Sequence, residues 1–526
     1  MRTPTTFPEF ISAAAARGGI RPALIQDEQH VSWMDLDDRS SRLAQGLKKL
    51  GLEKGDVAAL WLQNDTNWLV AFLACARLGA NVIALNTRFR QAELANVFAR
   101  LAPKAIFYHP SYRGIDFAAI VADARKSHNP ENMCEIHCAT SSAEQELTLE
   151  KLIDGHSPFE TVACKESDEL VMFATSGTTG SPKFVQHTHG SVLSHAGDIA
   201  AGFGMTAPDA VMLQTLPYCG VFGFCQAMGA LAAGRPSVVL ENFDAAAAVT
   251  AISRHGVTHF NGTDDMLSAC VGAAKDASAL STLRLVGAAA FNRGADQMRS
   301  LAKETGLPVV GLYGSSEAQA LYARRSEEEA QDTRCDAGGS PVSPEARFRV
   351  RNTETGEASG PGEAGELEIQ GPSLFSGYVA DPDATARAMT EDGFFRTGDL
   401  AVIEGRDIFR FDARMGDAIR LGGYLVNPAE ISRLIENMSG IRDCIVVGVQ
   451  TKSGMKAAAF IVRDRGHTGE FPDGLVVQDL CRKYLAPFKV PVLVHEVDAF
   501  PVTEGPNGVK VQRGVLRTLA RDILGE

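Results

Sequence analysis

The sequence predicts an α/β fold with a largely parallel, doubly wound sheet, a β-rich region after it and a compact C-terminal tail. At 526 residues, the chain is too long for one ordinary hydrophobic core and indicates two or more domains. Helical and strand-like patterns alternate from residue 32 onward, which is the rhythm of βαβ units. From about residue 338, Gly and Pro instead punctuate a series of short strands.

The first βαβ units lie between residues 32 and 100. Ser32 is expected to cap a helix that ends at Gly51, because apolar residues recur at helical spacing between them. Residues 56–62 (DVAALWL) predict a buried strand, residues 68–79 a helix and residues 81–85 a second strand. Four later segments continue the rhythm: RPSVVL (235–240), VTHFNG (257–262), LRLVGAAA (283–290) and LPVVGLYG (307–314).

The C-terminal third has a different sequence pattern. Residues 362–378 (GEAGELEIQGPSLFSGY) are typical of a β-rich subdomain. Polar residues and glycine collect at 413–417, where we place a domain boundary. Beyond it, residues 427–438, 444–450 and 456–462 predict a compact tail of helices and strands.

Composition narrows the class of protein. Hydrophobic residues make up 45% and charged residues 22% of the chain, as in soluble globular proteins. The net charge of −13 argues against general nucleic-acid binding. The sequence has no signal-peptide pattern and no uncharged apolar run of about 18 residues, so we expect a cytoplasmic protein without a membrane span. Cys134, His137 and Cys138 lack a second half-site for zinc, which favours free thiols in a reducing compartment.

One loop is typical of a phosphate site. The segment TSGTTGSPK runs from Thr175 to Lys183 directly after an apolar strand-like stretch. Small residues let backbone N–H groups converge on an anion, and Lys183 adds a positive charge. The hydroxyls of Ser176, Thr178 and Thr179 add donors or a magnesium ligand. The spacing is not that of a Walker A loop, and an ordinary Ser/Gly loop is the alternative.

This loop resembles the signature loop of the adenylate-forming superfamily, which includes acyl-CoA synthetases, adenylation domains of peptide synthetases and firefly luciferases. Four further motifs follow in the family's order. YGSSE (313–317) resembles Y-G-x-T-E, and FRTGDL (395–400) matches T-G-D. DARMGDAIRLGGYLVNPAEI (412–431) resembles the hinge segment, and PVTEGPNGVKVQRGVLR (501–517) resembles the motif that holds the catalytic lysine. The resemblance covers essentially the whole chain.

The residue types in these motifs suit a bound nucleotide. The ring of Tyr313 offers a face for adenine, and Ser316 can donate to a phosphate. Glu317 is a hard oxygen ligand for magnesium, and the Asp399 carboxylate can accept from both ribose hydroxyls. The resemblance implies that Lys510 bridges the acyl carboxylate and the α-phosphate and stabilises charge in the transition state.

The resemblance also implies the remaining site residues. The implied nucleotide-binding residues are Thr175, Ser176, Gly177, Thr178, Thr179, Gly180, Lys183, Tyr313, Gly314, Ser315, Ser316, Asp399, Arg414 and Lys510. The implied catalytic residues are Lys510, Glu317 and Thr179, of which Glu317 and Thr179 are also the metal ligands. Gly416 is the implied hinge, and Arg420, Gly422 and Gly423 lie on the implied coenzyme A side.

Several positions depart from the family pattern. Ser316 replaces a threonine, and Ala413 replaces a glycine. Gly416 stands where Asp or Lys is usual, and Val509 is inserted before the catalytic lysine. Gly220 stands where many relatives have a histidine near the acyl pocket, so the pattern leaves the class of acid open.

The predicted acyl pocket is small to medium in size and mixed in polarity, which favours a compact or aromatic acid over a very long acyl chain. Its candidate residues are Tyr218, Cys219, Gly220, Val221, Phe222, Asn261, Gly262, Thr263, Gly287, Ala288 and Gly311. Asp264 and Asp265 follow Thr263 and could contact a cationic substrate group. The favoured interpretation makes Thr263 an N-cap with two acids in the first helical turn.

The resemblance implies a large N-terminal domain of stacked α/β sheets over residues 1–413, with its β-rich subdomain at about 338–413. It implies a small mobile α+β C-terminal domain over residues 414–526. The implied enzyme uses ATP, Mg²⁺ and coenzyme A to join a small carboxylic acid to the thiol through an acyl-adenylate. Transfer to a carrier protein is an alternative, and a catalytically silent binding protein is a third. The family resemblance is the only basis for expecting a homodimer.

Overall fold

The computed structural model describes most of the chain and divides it into two compact units. The first unit comprises Met1–Thr87, Phe98–Ala174 and Phe184–Met415, and the second comprises Arg88–Val97, Thr175–Lys183 and Gly416–Glu526. The described residues are 4–138, 146–159, 162–175, 182–289, 295–352, 355–415, 419–422, 424–426, 428–464, 466–467, 469, 471–505 and 508–526. The domain division predicted between residues 413 and 414 remains a prediction.

Helices and strands alternate through the first two thirds of the chain. The helices are α1 (Phe7–Gly18), α2 (Trp33–Lys49), α3 (Thr66–Leu78), α4 (Gln91–Leu101), α5 (Phe117–Ser127), α6 (Leu149–Asp154), α7 (His189–Gly202), α8 (Val221–Ala233), α9 (Ala245–His255), α10 (Asp264–Ala273), α11 (Ala295–Thr305), α12 (Pro382–Ala388), α13 (Pro428–Glu436), α14 (Gly474–Tyr484) and α15 (Arg513–Leu524).

The strands cluster more densely after residue 309. They are β1 (Pro22–Gln26), β2 (Gln29–Ser32), β3 (Val57–Trp61), β4 (Asn81–Ala84), β5 (Ala105–Tyr108), β6 (Ser111–Tyr112), β7 (Ile115–Asp116), β8 (Cys134–His137), β9 (Glu169–Thr175), β10 (Lys183–Thr188), β11 (Met212–Gln214), β12 (Ser237–Val239), β13 (His259–Thr263), β14 (Leu285–Ala289), β15 (Val309–Tyr313), β16 (Ala323–Arg324), β17 (Gly338–Pro341), β18 (Arg347–Arg351), β19 (Ala364–Gln370), β20 (Gly377–Tyr378), β21 (Phe395–Gly405), β22 (Ile408–Arg414), β23 (Ile419–Leu421), β24 (Tyr424–Val426), β25 (Ile441–Thr451), β26 (Gly454–Arg463), β27 (Leu493–Glu496), β28 (Val502–Gly505) and β29 (Gly508–Val511).

The predicted start of the first βαβ unit is confirmed. The hydroxyl of Ser32 accepts from the backbone N–H of Asp35, whose carboxylate accepts from the Ser32 N–H, so the two form a capping box before α2. Gly51 follows the helix with φ of 90°, a left-handed conformation that glycine adopts without strain. The strands predicted at residues 56–62 and 81–85 appear as β3 and β4.

The first unit contains two large sheets. Within the described residues, a seven-stranded sheet has the order β20-β10-β9-β4-β3-β5-β8, and β9, β4, β3, β5 and β8 pair in parallel. A thirteen-stranded sheet has the order β18-β19-β21-β22-β17-β16-β15-β14-β13-β11-β12-β1-β2. Apolar side chains of α3, α7 and α8 join the large hydrophobic core of this unit.

The β-rich region continues one of these sheets. The parallel strands β12, β11, β13, β14 and β15 end at β16, which pairs antiparallel with both β15 and β17. β17, β22, β21, β19 and β18 then follow in antiparallel pairs. The region predicted as a β-rich subdomain therefore has its own hydrophobic cluster but shares a sheet with the parallel strands.

The second unit has a three-stranded sheet, β25-β26-β27, packed with α13 and α14. A buried charge cluster lies in it. The ammonium of Lys489 is 2.8 Å from Glu93 Oε1 and 2.8 Å from Glu430 Oε1. Burial lowers the pKa of Lys489, but the two carboxylates more than offset this and hold its pKa above the ordinary value. Glu93 belongs to the short segment Arg88–Val97, so this early part of the chain is bound into the second unit.

No helix in the described part of the chain combines the length and the apolar character needed to cross a membrane.

Candidate nucleotide and acyl site

The carboxyl ends of four parallel strands define the edge at which a ligand is expected. β11, β13, β14 and β15 run in the same direction, and they end at Gln214, Thr263, Ala289 and Tyr313. In open α/β sheets, ligands bind outside the carboxyl ends of the strands. Residues after these positions are therefore candidates for ligand contact.

A hydrogen bond joins two of the predicted nucleotide residues. The hydroxyl of Tyr313 donates to Asp399 Oδ2 at 2.7 Å, although the residues are 86 positions apart in the chain. Asp399 is 3% exposed, and its backbone N–H donates to Thr397 Oγ1 at 3.0 Å. The Tyr313 ring is 6% exposed and packs edge-on against Phe409 at 5.1 Å. The Tyr313 hydroxyl thus fixes the carboxylate and Thr397 fixes its main chain, while little of the tyrosine ring faces solvent.

The hinge-like segment starts beside this carboxylate. On β21 and β22, Asp399 and Arg414 are paired Cα partners. The backbone N–H of Met415 donates to the carbonyl of Gly398 at 2.8 Å. The T-G-D motif and the beginning of the predicted hinge segment therefore lie on adjacent strands of one sheet, β21 and β22. The side chain of Arg414 lies outside the described atoms, so its contact with a nucleotide remains a prediction.

The turn after β15 is held by residues that the sequence reasoning missed. His187 is fully buried, and its Nε2–H donates to the carbonyl of Ser316 at 2.8 Å. Burial lowers the pKa of His187 to about 4, so the ring is neutral at pH 7. The hydroxyl of Tyr378 donates to Glu317 Oε1 at 2.9 Å. Sequence offers no periodic signal for either contact, because each joins distant parts of the chain.

The other residues of this turn differ in exposure. Gly314 is exposed, and a β-carbon there would lie only 2.7 Å from the Cα of Ala320. Ser315 and Ser316 are half-buried, and the Ser315 hydroxyl accepts from the backbone N–H of Ala318 at 3.1 Å. The turn is thus tightly packed on one side and open on the other.

The predicted phosphate loop, Thr175–Lys183, lies in the sequence between two strands that are neighbours in the sheet. Thr175 is the last residue of β9, and Lys183 is the first residue of β10. Residues 176–181 lie outside the described residues, so the roles predicted for Ser176, Gly177, Thr178, Thr179 and Gly180 remain predictions. Gly416 and Gly423 also lie outside, as do the side chains of Arg420 and Lys510. Gly422 is described, with φ of 56°.

Alternation along the strands divides the predicted acyl pocket between two faces of the sheet. Asn261 is registered with Gly287, whereas Gly262 is registered with Ala288 and Ala288 with Gly311. Adjacent residues of a strand point to opposite faces. Asn261 and Gly287 therefore share one face, and Gly262, Ala288 and Gly311 share the other. The two faces pack against different hydrophobic clusters.

The start of α8 supplies the rest of the predicted pocket. Gly220 is the N-cap of this helix and provides no side-chain cap. Cys219, Gly220 and Phe222 are half-buried there. Tyr218 is 1% exposed, and its ring packs against the ring of Trp68 at 5.2 Å. The tyrosine ring is thus part of the hydrophobic core.

The favoured interpretation of the two acids after β13 is confirmed. The hydroxyl of Thr263 accepts from the backbone N–H of Met266 at 3.3 Å, so Thr263 is the N-cap of α10. Asp264 and Asp265 occupy the first turn, where the helix dipole favours negative charge.

Comparison with known proteins identifies the family. The family model described as AMP-binding enzyme matches residues 11–379, and that of the AMP-binding enzyme C-terminal domain matches residues 430–505. The chain belongs to the AMP-binding enzyme family. The resemblance to the adenylate-forming superfamily is confirmed, and the relatives place this AMP-binding enzyme in the ligase class.

Three similar proteins show the extent of the match. The chain is 27% identical to the putative acyl-CoA synthetase YngI of Bacillus subtilis, covering 94% of each chain. It is 26% identical to 4-coumarate–CoA ligase 3 of Oryza sativa subsp. japonica, covering 91% of this chain and 86% of the relative. The amide bond synthetase McbA of Marinactinospora thermotolerans has the same fold, with a TM-score of 0.84, 24% identity and coverage of 98% and 99%.

Proposed function

We propose that this AMP-binding enzyme is an AMP-forming carboxylic acid–CoA ligase. Its similarity over almost the full length to the putative acyl-CoA synthetase YngI and to 4-coumarate–CoA ligase 3 supports this function. The observation that carries the proposal is the hydrogen bond between Tyr313 and Asp399 at the carboxyl edge of the parallel strands. This bond supports the proposal, because it fixes a carboxylate beside the last residue of β15, and open α/β sheets bind ligands outside the carboxyl ends of their strands.

In this proposal, Asp399 accepts hydrogen bonds from the ribose hydroxyls of ATP. Hydrogen bonds to an ionised acceptor are stronger than those between neutral groups. The hydroxyl of Tyr313 orients the carboxylate by donating to Oδ2, and the bond from the Asp399 backbone N–H to Thr397 Oγ1 fixes the main chain that carries it. The Asp399 carboxylate therefore needs little reorganisation when the ribose binds.

Glu317 suits the proposed role of magnesium ligand. It carries carboxylate oxygens, which Mg²⁺ prefers, and the side chain is half-buried at the turn after β15. The hydroxyl of Tyr378 orients this carboxylate by donating to Oε1. When bound, the metal neutralises charge on the phosphates; the second predicted ligand, Thr179, remains a prediction.

The proposed reaction has two balanced steps. A carboxylate oxygen of the acid forms a bond to the α-phosphorus of ATP while the bond to the β-phosphate oxygen breaks, which releases pyrophosphate. The sulfur of coenzyme A then bonds to the acyl carbon, the bond to AMP breaks, and the thiol proton is released. Lys510 is proposed to stabilise the charge of the first transition state. Movement of residues 414–526 about Gly416 is proposed to separate the steps.

The thiol of a carrier protein is the alternative to coenzyme A as the acyl acceptor of the second step. A direct test distinguishes a CoA ligase from an enzyme that loads a carrier protein, because only the CoA ligase forms a thioester when coenzyme A is the sole thiol present. A cytoplasmic location and a homodimer also remain predictions.

The proposal is tested with the purified full-length protein, Mg-ATP and a panel of carboxylic acids. We expect acid-dependent exchange of labelled pyrophosphate into ATP, and formation of acyl-CoA detected by mass spectrometry when coenzyme A is added. Asp399→Asn is expected to raise the KM for ATP about tenfold or more, because a neutral amide accepts more weakly. Asp381→Asn is the matched control, because Asp381 caps α12, and Asn caps a helix as well as Asp does.

Three outcomes would contradict the proposal in different ways. Absence of exchange over the whole panel would favour a silent binding protein. Exchange without acyl-CoA would favour a carrier protein as acceptor. An unchanged KM in Asp399→Asn would remove Asp399 from the nucleotide site.

A further inference from the structure

A buried amide lies on β13, two residues before the carboxyl end of the strand. Asn261 is 1% exposed. Neither its Nδ2 nor its Oδ1 has a hydrogen-bond partner among the residues that the structure describes. Buried polar groups are almost always hydrogen-bonded, and leaving both ends of an amide unpaired costs free energy. This side chain therefore calls for an explanation.

On the side of β14, the surroundings of this amide are small or apolar. Gly287 lies beside Asn261 on β14, and a β-carbon on Gly287 would overlap Asn261 Oδ1 and come within 3.0 Å of both Leu312 methyl groups. The amide oxygen thus lies over a glycine, next to an aliphatic side chain. Any larger residue at position 287 would displace it.

The neighbouring amide on β11, that of Gln214, is hydrogen-bonded, in contrast to Asn261. Gln214 lies next to Asn261 in the sheet, one residue beyond the last registered pair of β11 and β13. Its Nε2 donates to the carbonyls of Leu216 at 2.7 Å and Gly223 at 3.1 Å. Gln214 is therefore committed to the backbone at the start of α8, where the half-buried part of the predicted acyl pocket begins.

We propose that Asn261 selects acids that carry a neutral hydroxyl group remote from the carboxylate. The inference rests on the proposed ligase function and names its substrate class. An amide presents one donor side and one acceptor side, and a hydroxyl complements both. A second carboxylate does not fit, because Gln214, Asn261 and Gly287 carry no positive charge to balance it. An apolar acid leaves the amide unpaired.

The test compares matched acids that differ only in the hydroxyl. Benzoate is paired with 3- and 4-hydroxybenzoate, cinnamate with 4-hydroxycinnamate, and hexanoate with 6-hydroxyhexanoate. The readout is the ratio of kcat/KM for the hydroxy acid to that for its partner, in acid-dependent pyrophosphate exchange. For at least one pair, we expect a ratio of roughly 10 to 100, because a site built to bond a hydroxyl rejects the analogue that lacks it.

The variant Asn261→Leu keeps a similar volume and removes both polar ends. Its ratio is expected to fall to about one for the same pair. Gly287→Ala is the second variant, because its methyl group displaces the amide oxygen, and it is expected to lower the ratio as well. Ser359→Ala is the matched control: Ser359 lies between β18 and β19 and is 7% exposed, and its hydroxyl also has no partner among the described residues. Its ratio should equal that of the wild type.

The outcomes separate this inference from the function on which it rests. If no acid supports exchange, the ligase function fails. If acids support exchange but every wild-type ratio is near one, the inference is overturned and the function stands. A high ratio that survives in both Asn261→Leu and Gly287→Ala also overturns it. If Asn261→Leu does not fold, the ratio in Gly287→Ala decides.

Discussion

Acid is expected to unfold the first unit through three buried histidines of β10 and α7. His187, His189 and His195 are each at most 1% exposed. His187 and His195 donate from Nε2 to the carbonyls of Ser316 and Ala320, at 2.8 Å and 2.7 Å. His189 instead accepts from a backbone N–H through Nδ1. Each ring is neutral in the folded chain, because a buried imidazolium would lose its hydration.

The magnitude follows from the pKa values. Burial lowers the pKa of each of the three rings from 6.5 to about 4. Between these two pH values, the unfolded chain binds more protons than the folded chain, so the free energy of unfolding falls as the pH falls. At pH 5, each histidine lowers stability by about 2 kcal/mol relative to pH 7. The three together amount to about 6 kcal/mol, a large part of a typical domain's stability.

The assay is urea unfolding followed by tryptophan fluorescence at pH 7, 6 and 5. The chain has three tryptophans, Trp33, Trp61 and Trp68, and all are buried in the first unit, so the signal reports that unit alone. In the double variant His187→Gln/His195→Gln, Gln Nε2 can still donate to the same carbonyls but does not titrate. We expect it to lose about 4 kcal/mol less than the wild type between pH 7 and pH 5.

His128→Gln is the control, because His128 is exposed. Its pH dependence should follow that of the wild type. A double variant whose stability falls with pH as steeply as the wild type would refute the assignment of this acid sensitivity to the buried rings.

Two further predictions concern the nucleotide site and the buried charge cluster. Tyr313→Phe keeps the ring but removes the donor to Asp399, and we expect the KM for ATP to rise about tenfold, measured by pyrophosphate exchange; an unchanged KM would contradict the positioning role. Lys489→Met leaves the carboxylates of Glu93 and Glu430 together without their cation, and we expect a loss of about 3–5 kcal/mol from the second unit, measured by hydrogen exchange in β25 and β26. Adding Glu93→Gln should restore part of this stability; equal protection in all three proteins would contradict the prediction.

Local signals in the sequence predicted local structure well. Ser32 and Thr263 both act as N-caps, because a hydroxyl followed by helix-forming residues satisfies its own neighbouring N–H groups. The period of two along a strand also predicts that Asn261 and Gly262 face opposite ways. The register of β13 with β14 agrees with this alternation, and the acyl pocket that includes both residues remains a prediction.

Contacts between distant segments were beyond such reasoning. The resemblance indicated Tyr313 and Asp399 as nucleotide residues, yet no spacing rule predicts that the phenol donates to the carboxylate 86 residues away. The β-rich region likewise joins the parallel sheet because β16 bridges two directions, and strand order depends on the packing of the whole unit. The roles of Thr179, Arg414 and Lys510 remain predictions.

The position of Glu93 bears on whether the C-terminal region can be inherited or engineered as a separate module. Glu93 and Lys489 are 396 residues apart, yet they share one buried cluster. A graft of Gly416–Glu526 onto a relative would import the ammonium and Glu430 but leave the second acid behind. Exchange of this region therefore requires a host that offers a carboxylate at the matching point of α4, so the two stretches must change together.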